Sequence, residues 1–318
     1  MLFKEIHSDL KLVEKEISKY VVASEPLLTK ASGHLLKAGG KRIRPAFALL
    51  AGKFHNYDLE KLLPLAVALE IIHMASLVHD DVVDASVTRR GRPTVKAKWG
   101  NRVSMHAGDY LFAQSLLLIS QYEDKRIAKV LARVSVEMCQ GEIQQISASF
   151  DADQKLRDYL YRIKRKTALL ISASCQLGAV AVGAPEKLIR TLTRYGYYLG
   201  MAFQITDDIL DMVADEKVLG KPVGGDLRQG IITLPVIYAL KHTKEKERLR
   251  ELVRKQEKSE EEVQETIQII KNSGAIEYSF DFANKYLEKA KKELAKLPDI
   301  KTKKTFAMIT NFIGKRTF

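Results

Sequence analysis

Twice in this chain a long apolar run ends in the pattern Asp-Asp-x-x-Asp. The first reads Leu69-Glu70-Ile71-Ile72-His73-Met74-Ala75-Ser76-Leu77-Val78-His79-Asp80-Asp81-Val82-Val83-Asp84. The second reads Tyr198-Leu199-Gly200-Met201-Ala202-Phe203-Gln204-Ile205-Thr206-Asp207-Asp208-Ile209-Leu210-Asp211. The first has no Gly or Pro after Pro64 and is too long for a strand, which predicts a helix. On that helix Asp80 and Asp84 share a face, and Asp81 lies about 100° round it. Like charges at i,i+4 destabilise a helix by roughly 0.2–0.5 kcal/mol, so carboxylates kept ionised beside an apolar wall need a counter-charge. A hard divalent cation with oxygen ligands supplies one. A single cluster of this kind also reads as a solvated acidic face. Two in the same layout, on helices that face each other, would form a site for Mg²⁺ completed by substrate phosphates.

Cations accompany the acids. Gly39-Gly40-Lys41-Arg42-Ile43-Arg44-Pro45 sets three cations before a helix, Arg89-Arg90-Gly91-Arg92-Pro93 follows the first acidic motif, and Lys164-Arg165-Lys166-Thr167 opens another apolar run. Each alone reads as a solvated basic patch; with two acidic motifs they outline opposed charges around a bound polyanion. The net charge of +13 has the same sign. Zinc-ligand spacing, an RNP motif and an aromatic-interleaved basic stripe are all missing from the sequence, so nucleic acid is not the expected partner. A diphosphate substrate accounts for the charge, as does loose, at most peripheral, association with anionic lipid.

GGKRIRP, HDDVVD followed by TRRGRPT, KT, and FQITDDILD followed by GKPVGGD stand in one order along the chain. In that order they resemble the signature blocks of the trans-type isoprenyl diphosphate synthases, and the resemblance covers nearly the whole chain. LEIIHMASLVHDD, KRKTALLISASCQLGA and the terminal IGKRTF are most similar to the branch containing the large catalytic subunit (component 2) of bacterial heptaprenyl diphosphate synthase. The resemblance implies an all-α bundle with a central cavity, formed as one domain over residues 1–318. It implies repeated condensation of isopentenyl diphosphate with an allylic diphosphate, farnesyl diphosphate as primer, and a heptaprenyl product for a menaquinone side chain. A hexaprenyl or octaprenyl synthase working as a homodimer is the alternative; for the heptaprenyl branch the expected partner is a smaller regulatory subunit. Several Mg²⁺ ions would be held by Asp80, Asp81, Asp84, Asp207, Asp208 and Asp211. Arg89, Lys166 and Lys221 would contact the allylic diphosphate; Lys41, Arg44, His73 and Arg90 would hold isopentenyl diphosphate. Thr167 and Gln204 are read as cleft residues, and Asp226 as support for a closing loop. Gly314-Lys315-Arg316 is read either as a tail that folds over the second diphosphate or as a solvated end. Small residues at Ala75 and Ser76, with Ile72 and the helix over 103–118, would let the growing tail pass and so set product length.

Strand signals are nearly missing elsewhere. Apolar spacing over 2–22, 27–36, 45–54, 103–120, 127–146 and 188–213 predicts helices, and the eight prolines mark mostly the places where one run yields to another. The apolar content of 46% is enough for a sizeable core, and the mean hydropathy of −0.15 is that of a soluble protein. Residues 167–185 carry no charge, but Ser172, Ser174, Gln176, Gly178 and Gly183 favour a buried central helix over a membrane span. The charged N-terminus lacks an apolar signal core. Cys139 and Cys175 lie in apolar helical contexts and read as small buried thiols of a reducing cytoplasm. A di-metal carboxylate bundle would need Glu-x-x-His twice; Glu70-Ile71-Ile72-His73 is one match, and no other histidine has a Glu three residues before it.

Overall fold

A computed structural model describes residues 3–213 and 223–315. A 3₁₀ turn (Lys4–Ile6) leads into α1 (His7–Tyr20), α2 (Pro26–Lys37), α3 (Ile43–Gly52) and α4 (Leu59–Val83). A short hairpin follows, β1 (Thr88–Arg89) and β2 (Arg92–Pro93), then α5 (Val95–Ser120), α6 (Lys125–Ser147) and α7 (Leu156–Ile163). A π-helical turn (Lys164–Ala168) joins α7 to α8 (Leu169–Ala181), and α9 (Glu186–Val213) carries the second acidic motif. The rest is α10 (Gly225–Arg228), α11 (Leu234–His242), α12 (Lys246–Arg254), α13 (Glu260–Asn272), α14 (Ala275–Ala295) and α15 (Lys301–Gly314). The protein is all-α; among the described residues the hairpin is the one β pairing.

Local chemistry explains the helix that matters most. The Asp58 side chain accepts from the N–H groups of Glu60 and Lys61 at 3.1 and 3.3 Å, capping α4. Pro64 lies inside α4 rather than at its edge; near the N-terminus its missing N–H forfeits a single backbone bond. At the other end Asp84 is the cap, and its N–H still donates to the Asp80 carbonyl at 2.8 Å. The two carboxylates therefore stay one turn apart, as the spacing predicts. The hairpin is not foreseen in the sequence. Its two turn residues, Arg90 and Gly91, take φ of 53° and 71°, the left-handed pair that a tight hairpin requires.

The chain divides into two compact units. The first comprises Met1–Ala132, Ala173–Thr193 and Leu297–Thr305. Within it α4 packs on α3 and α5, and its core includes Phe47, Leu50, Leu62, Leu65, Leu69, Ile71 and Val78. Gly178 lets α8 approach α3 closely: a Cβ there would sit 2.1 Å from the Ala48 carbonyl oxygen. The second unit comprises Arg133–Ser172, Arg194–Lys296 and Phe306–Phe318. Its core gathers Tyr159, Ile205, Ile209, Met212, Val236, Leu249, Ile267 and Ile270.

One expectation changes. Cys175 is buried but Cys139 is exposed, because the apolar stretch around it is an outward face of α6 shared with Val136 and Ile143. The stretch 167–185 holds the expected buried helix, α8, with 13 mostly buried residues; among the described residues the helix long and apolar enough to cross a membrane is α4. Of the most apolar window of α4, 67% is buried, the pattern of a core helix.

Candidate active site

In the first unit the acidic motif sits at the end of α4, and its three carboxylates are held differently. Asp80 and Asp84 are half-buried. Asp81 is 2% exposed, and its Oδ1 accepts from Arg89 Nε at 2.7 Å. Burial raises the Asp81 pKa, and the Arg89 guanidinium partly offsets it. The β1–β2 hairpin thus delivers Arg89 onto the motif it follows in sequence.

One helical stretch upstream, α4 faces the Gly39–Arg44 loop. Arg42 adopts φ 48°, a left-handed conformation that costs a non-glycine residue about 1–2 kcal/mol. Its buried guanidinium donates to Glu70 Oε1 at 3.0 Å and to Glu14 Oε1 at 3.1 Å, which offsets that strain. Gly40 is required for close approach: a Cβ would lie 2.7 Å from Arg90 Nη1 and 2.9 Å from Arg42 Nη1. Arg44 is held down to about 10, first by burial, with Glu70 raising and Arg90 lowering it. Arg90 is lowered by burial and by Arg42 and Arg89, and raised by Glu70. Glu70 therefore faces three guanidiniums, of which Arg42 is shared with the half-exposed Glu14. Arg44 Nε and Glu70 Oε2 are buried and have no hydrogen-bond partner among the described residues. Burial, followed by Arg44, Arg90, Arg89 and Arg42, drives the His73 pKa well below its usual value, so His73 is neutral. Excess positive charge, a neutral imidazole and an unsatisfied guanidinium donor are what an anion would complete. Glu70 is committed to Arg42, which removes the one Glu-x-x-His match as a metal ligand pair.

In the second unit, α9 holds its acidic motif by neutral donors. Asp208 is 5% exposed; Oδ2 accepts from the Tyr159 hydroxyl at 2.7 Å and Oδ1 from Gln204 Nε2 at 2.8 Å. Gln204 Oε1 in turn accepts from Thr167 Oγ1 at 2.6 Å. Burial pushes Asp208 up to about 6; Gln204, Tyr159 and Arg162 work against that rise, and Asp207 adds to it. Asp207 is half-buried and Asp211 is 3% exposed. Asp211 fastens the loop behind it, its carbonyl accepting from the Gly224 N–H at 2.7 Å and its Oδ2 from the Asp226 N–H at 2.9 Å. The π turn presents Lys166, whose Nζ lies 2.8 Å from Glu142 Oε2, while Arg165 Nε donates to Glu137 Oε2 at 2.8 Å. Such turns frequently interrupt helices at functional positions.

The predicted residues thus fall into two groups. Arg44, His73, Asp80, Asp81, Asp84, Arg89 and Arg90 cluster around the end of α4 and the hairpin, with exposed Lys41 in the adjoining loop. Lys166, Thr167, Gln204, Asp207, Asp208 and Asp211 cluster on the π turn and α9. Lys221 and Arg316 lie outside the described residues. Ile72 and Ala75 are 4% and 2% exposed, and half-buried Ser76 turns its hydroxyl back to the His73 carbonyl at 2.9 Å. Arg42, Glu70, Glu142, Tyr159 and Arg162 had gone unassigned. Tyr159 stands seven residues before Lys166, two helical turns along one face, which was the available signal.

Asp80, Asp84 and Asp207 offer hard oxygen donors on accessible side chains. Among the described residues no three Asp, Glu, His or Cys side chains form one metal-binding group. In each unit taken by itself such donors fit Mg²⁺ completed by substrate oxygens and water rather than an ion caged by protein.

Residues 25–270 match the family model described as polyprenyl synthetase. The chain is 49% identical over 318 residues to heptaprenyl diphosphate synthase component 2 of Bacillus subtilis, covering 100% of this chain and 91% of that protein. The heptaprenyl diphosphate synthase structure from Staphylococcus aureus superposes with a TM-score of 0.92 at 37% identity, covering 98% of this chain and 99% of that one. A polyprenyl synthase from Caulobacter crescentus, solved with calcium and isoprenyl diphosphate, gives 0.95 at 33% identity, covering 99% and 97%.

Proposed function

Because this chain belongs to the polyprenyl synthetase family and is a prenyltransferase, we propose that it condenses isopentenyl diphosphate repeatedly with an allylic diphosphate, farnesyl diphosphate as primer, to give heptaprenyl diphosphate for a menaquinone side chain. The observation that carries the reading is the guanidinium excess around Glu70, which would suit an anion, on the same helix as the first acidic motif. Arg44, Arg90, Lys41 and neutral His73 hold the diphosphate of isopentenyl diphosphate and leave its double bond free to attack. Arg89, Lys166 and Lys221 hold the allylic diphosphate. Asp80, Asp81, Asp84, Asp207, Asp208 and Asp211 supply carboxylate oxygens or position those that do. Bound Mg²⁺ would neutralise the departing pyrophosphate as the allylic carbon–oxygen bond breaks, which is Lewis-acid and electrostatic catalysis. Attack by the double bond and loss of a proton then leave a new allylic diphosphate, one isoprene unit longer.

The name component 2, carried by the Bacillus relative, supports a heteromer with a partner subunit; we take that partner to be smaller, the assembly to be cytoplasmic, and residues 1–318 to form one catalytic domain. Chromatography of the products tests this, with the purified chain alone and with a candidate small subunit. Weak activity alone and a heptaprenyl product on mixing are expected. Full long-chain synthesis by the isolated chain, with a hexaprenyl or octaprenyl product, would favour the homodimer instead.

A further inference from the structure

The second acidic motif contains a carboxylate whose orientation is fixed from both sides. Asp208 accepts the Tyr159 hydroxyl on Oδ2 and the Gln204 amide on Oδ1. Tyr159 is fully buried. One turn further along the same helix, Arg162 Nη1 donates to Gln154 Oε1 at 2.9 Å and Nη2 to the Ile232 carbonyl, so the helical face that carries Tyr159 is tied down. Each Asp208 oxygen keeps a further lone-pair direction. Where Arg89 on Asp81 is donor and cation at once, both hydrogen-bond donors on Asp208 are neutral, so the carboxylate is oriented while its charge is only partly opposed, by Arg162. A ligand carboxylate for a divalent ion needs that combination, and hydrogen-bond partners behind metal ligands commonly set affinity.

We propose that Tyr159 is a positioning residue for prenyl transfer: through Asp208 it sets the affinity of the second acidic motif for the Mg²⁺–diphosphate. The inference rests on the reading above that this motif serves the metal–diphosphate. The Phe variant deletes one hydroxyl and keeps the ring that fills the core.

The test compares Tyr159→Phe, Asp208→Asn and the double variant. Three measurements are made on each: melting in EDTA, calorimetric binding of inorganic pyrophosphate across a Mg²⁺ titration, and the Mg²⁺ dependence of turnover. Tyr159→Phe should stay folded in EDTA, melting somewhat below the parent because a hydrogen bond to a buried carboxylate is lost, and need roughly 10-fold more Mg²⁺ to bind pyrophosphate and to turn over. The double variant should be no worse than Asp208→Asn, because the hydroxyl acts through that carboxylate. Unchanged Mg²⁺ dependence in Tyr159→Phe, losses that add in the double variant, or a Tyr159→Phe protein unfolded in EDTA would each overturn the proposal. If Asp208→Asn itself binds Mg²⁺–pyrophosphate as the parent does, the metal reading of the motif fails first.

Discussion

The two Asp-Asp-x-x-Asp motifs share a pattern and differ in how the protein holds their second aspartate. In the first unit Asp81 is clamped by a guanidinium delivered on a hairpin, an ion pair at 2.7 Å. In the second unit Asp208 is clamped by a phenol and an amide, and burial pushes its pKa to about 6. Equal spacing therefore produces unequal electrostatics. Burial raises the pKa of both; a bonded guanidinium partly offsets the rise in the first motif, and neutral donors together with the Arg162 charge do so in the second. The half-buried members, Asp80 and Asp84 against Asp207, do not share that asymmetry.

The largest expected effect tests what the motifs have in common. Asp80→Ala and Asp207→Ala should each lower turnover about a thousand-fold, ~4 kcal/mol of transition-state stabilisation, through loss of a metal-facing carboxylate. Circular dichroism and melting in EDTA should match the parent. Near-normal prenyl transfer from either folded variant would remove that motif from the chemistry.

Next in size is the clamp on Asp81. Arg89→Leu leaves a buried carboxylate without its cation, and such losses cost about 3 kcal/mol. Urea unfolding at neutral pH reads this directly. A stability change below ~0.5 kcal/mol would mean that Asp81 does not depend on Arg89, and the contrast with Asp208 would vanish.

Much of this was legible in the sequence because apolar periodicity and Asp spacing are local signals. Both acidic helices, the one-turn stacking of Asp80 on Asp84 and the basic clusters follow from spacing of a few residues. What escaped depends on partners distant in sequence. The Arg42–Glu70 ion pair spans 28 positions and the Tyr159–Asp208 bond 49, and no periodicity links them. Hence Arg42 reads as one more basic-patch residue until Glu70 is seen to bury it. The hairpin was missed for another reason: two-residue strands leave no alternation to detect, and Arg at a left-handed turn position is not a turn signal.

A smaller effect concerns the helix just before the first motif. Ala75 stands five residues before Asp80, roughly 7.5 Å up the axis, and is nearly buried. Ala75→Tyr should cost about 2 kcal/mol by overpacking and stop elongation early, with the first condensation largely retained. Chromatography of the products decides. An active variant with unchanged product length would show that the growing tail does not run along this face of α4.

The smallest change in stability sharpens the contrast most. Asp208 has a folded-state pKa of about 6 against an ordinary 3.8. The sign follows from which state holds the proton more tightly. The fold does, so the stability contributed by protonated Asp208 is present below the ordinary pKa and is lost as pH rises through about 6. Asparagine has no charge to bury. In EDTA, Asp208→Asn should therefore match the parent near pH ~4 and exceed it by about 1–2 kcal/mol near pH ~7; a full shift of this size would give about 3 kcal/mol, and an amide reuses the Tyr159 and Gln204 donors less well than a carboxylate. Asp81→Asn should gain less than Asp208→Asn near pH ~7, because removing that charge also strands Arg89. Urea titrations of both variants across that pH range measure the difference. If Asp208→Asn were less stable than the parent at every pH, the neutral clamp would not be storing an unfavourable charge, and the two motifs would be held alike.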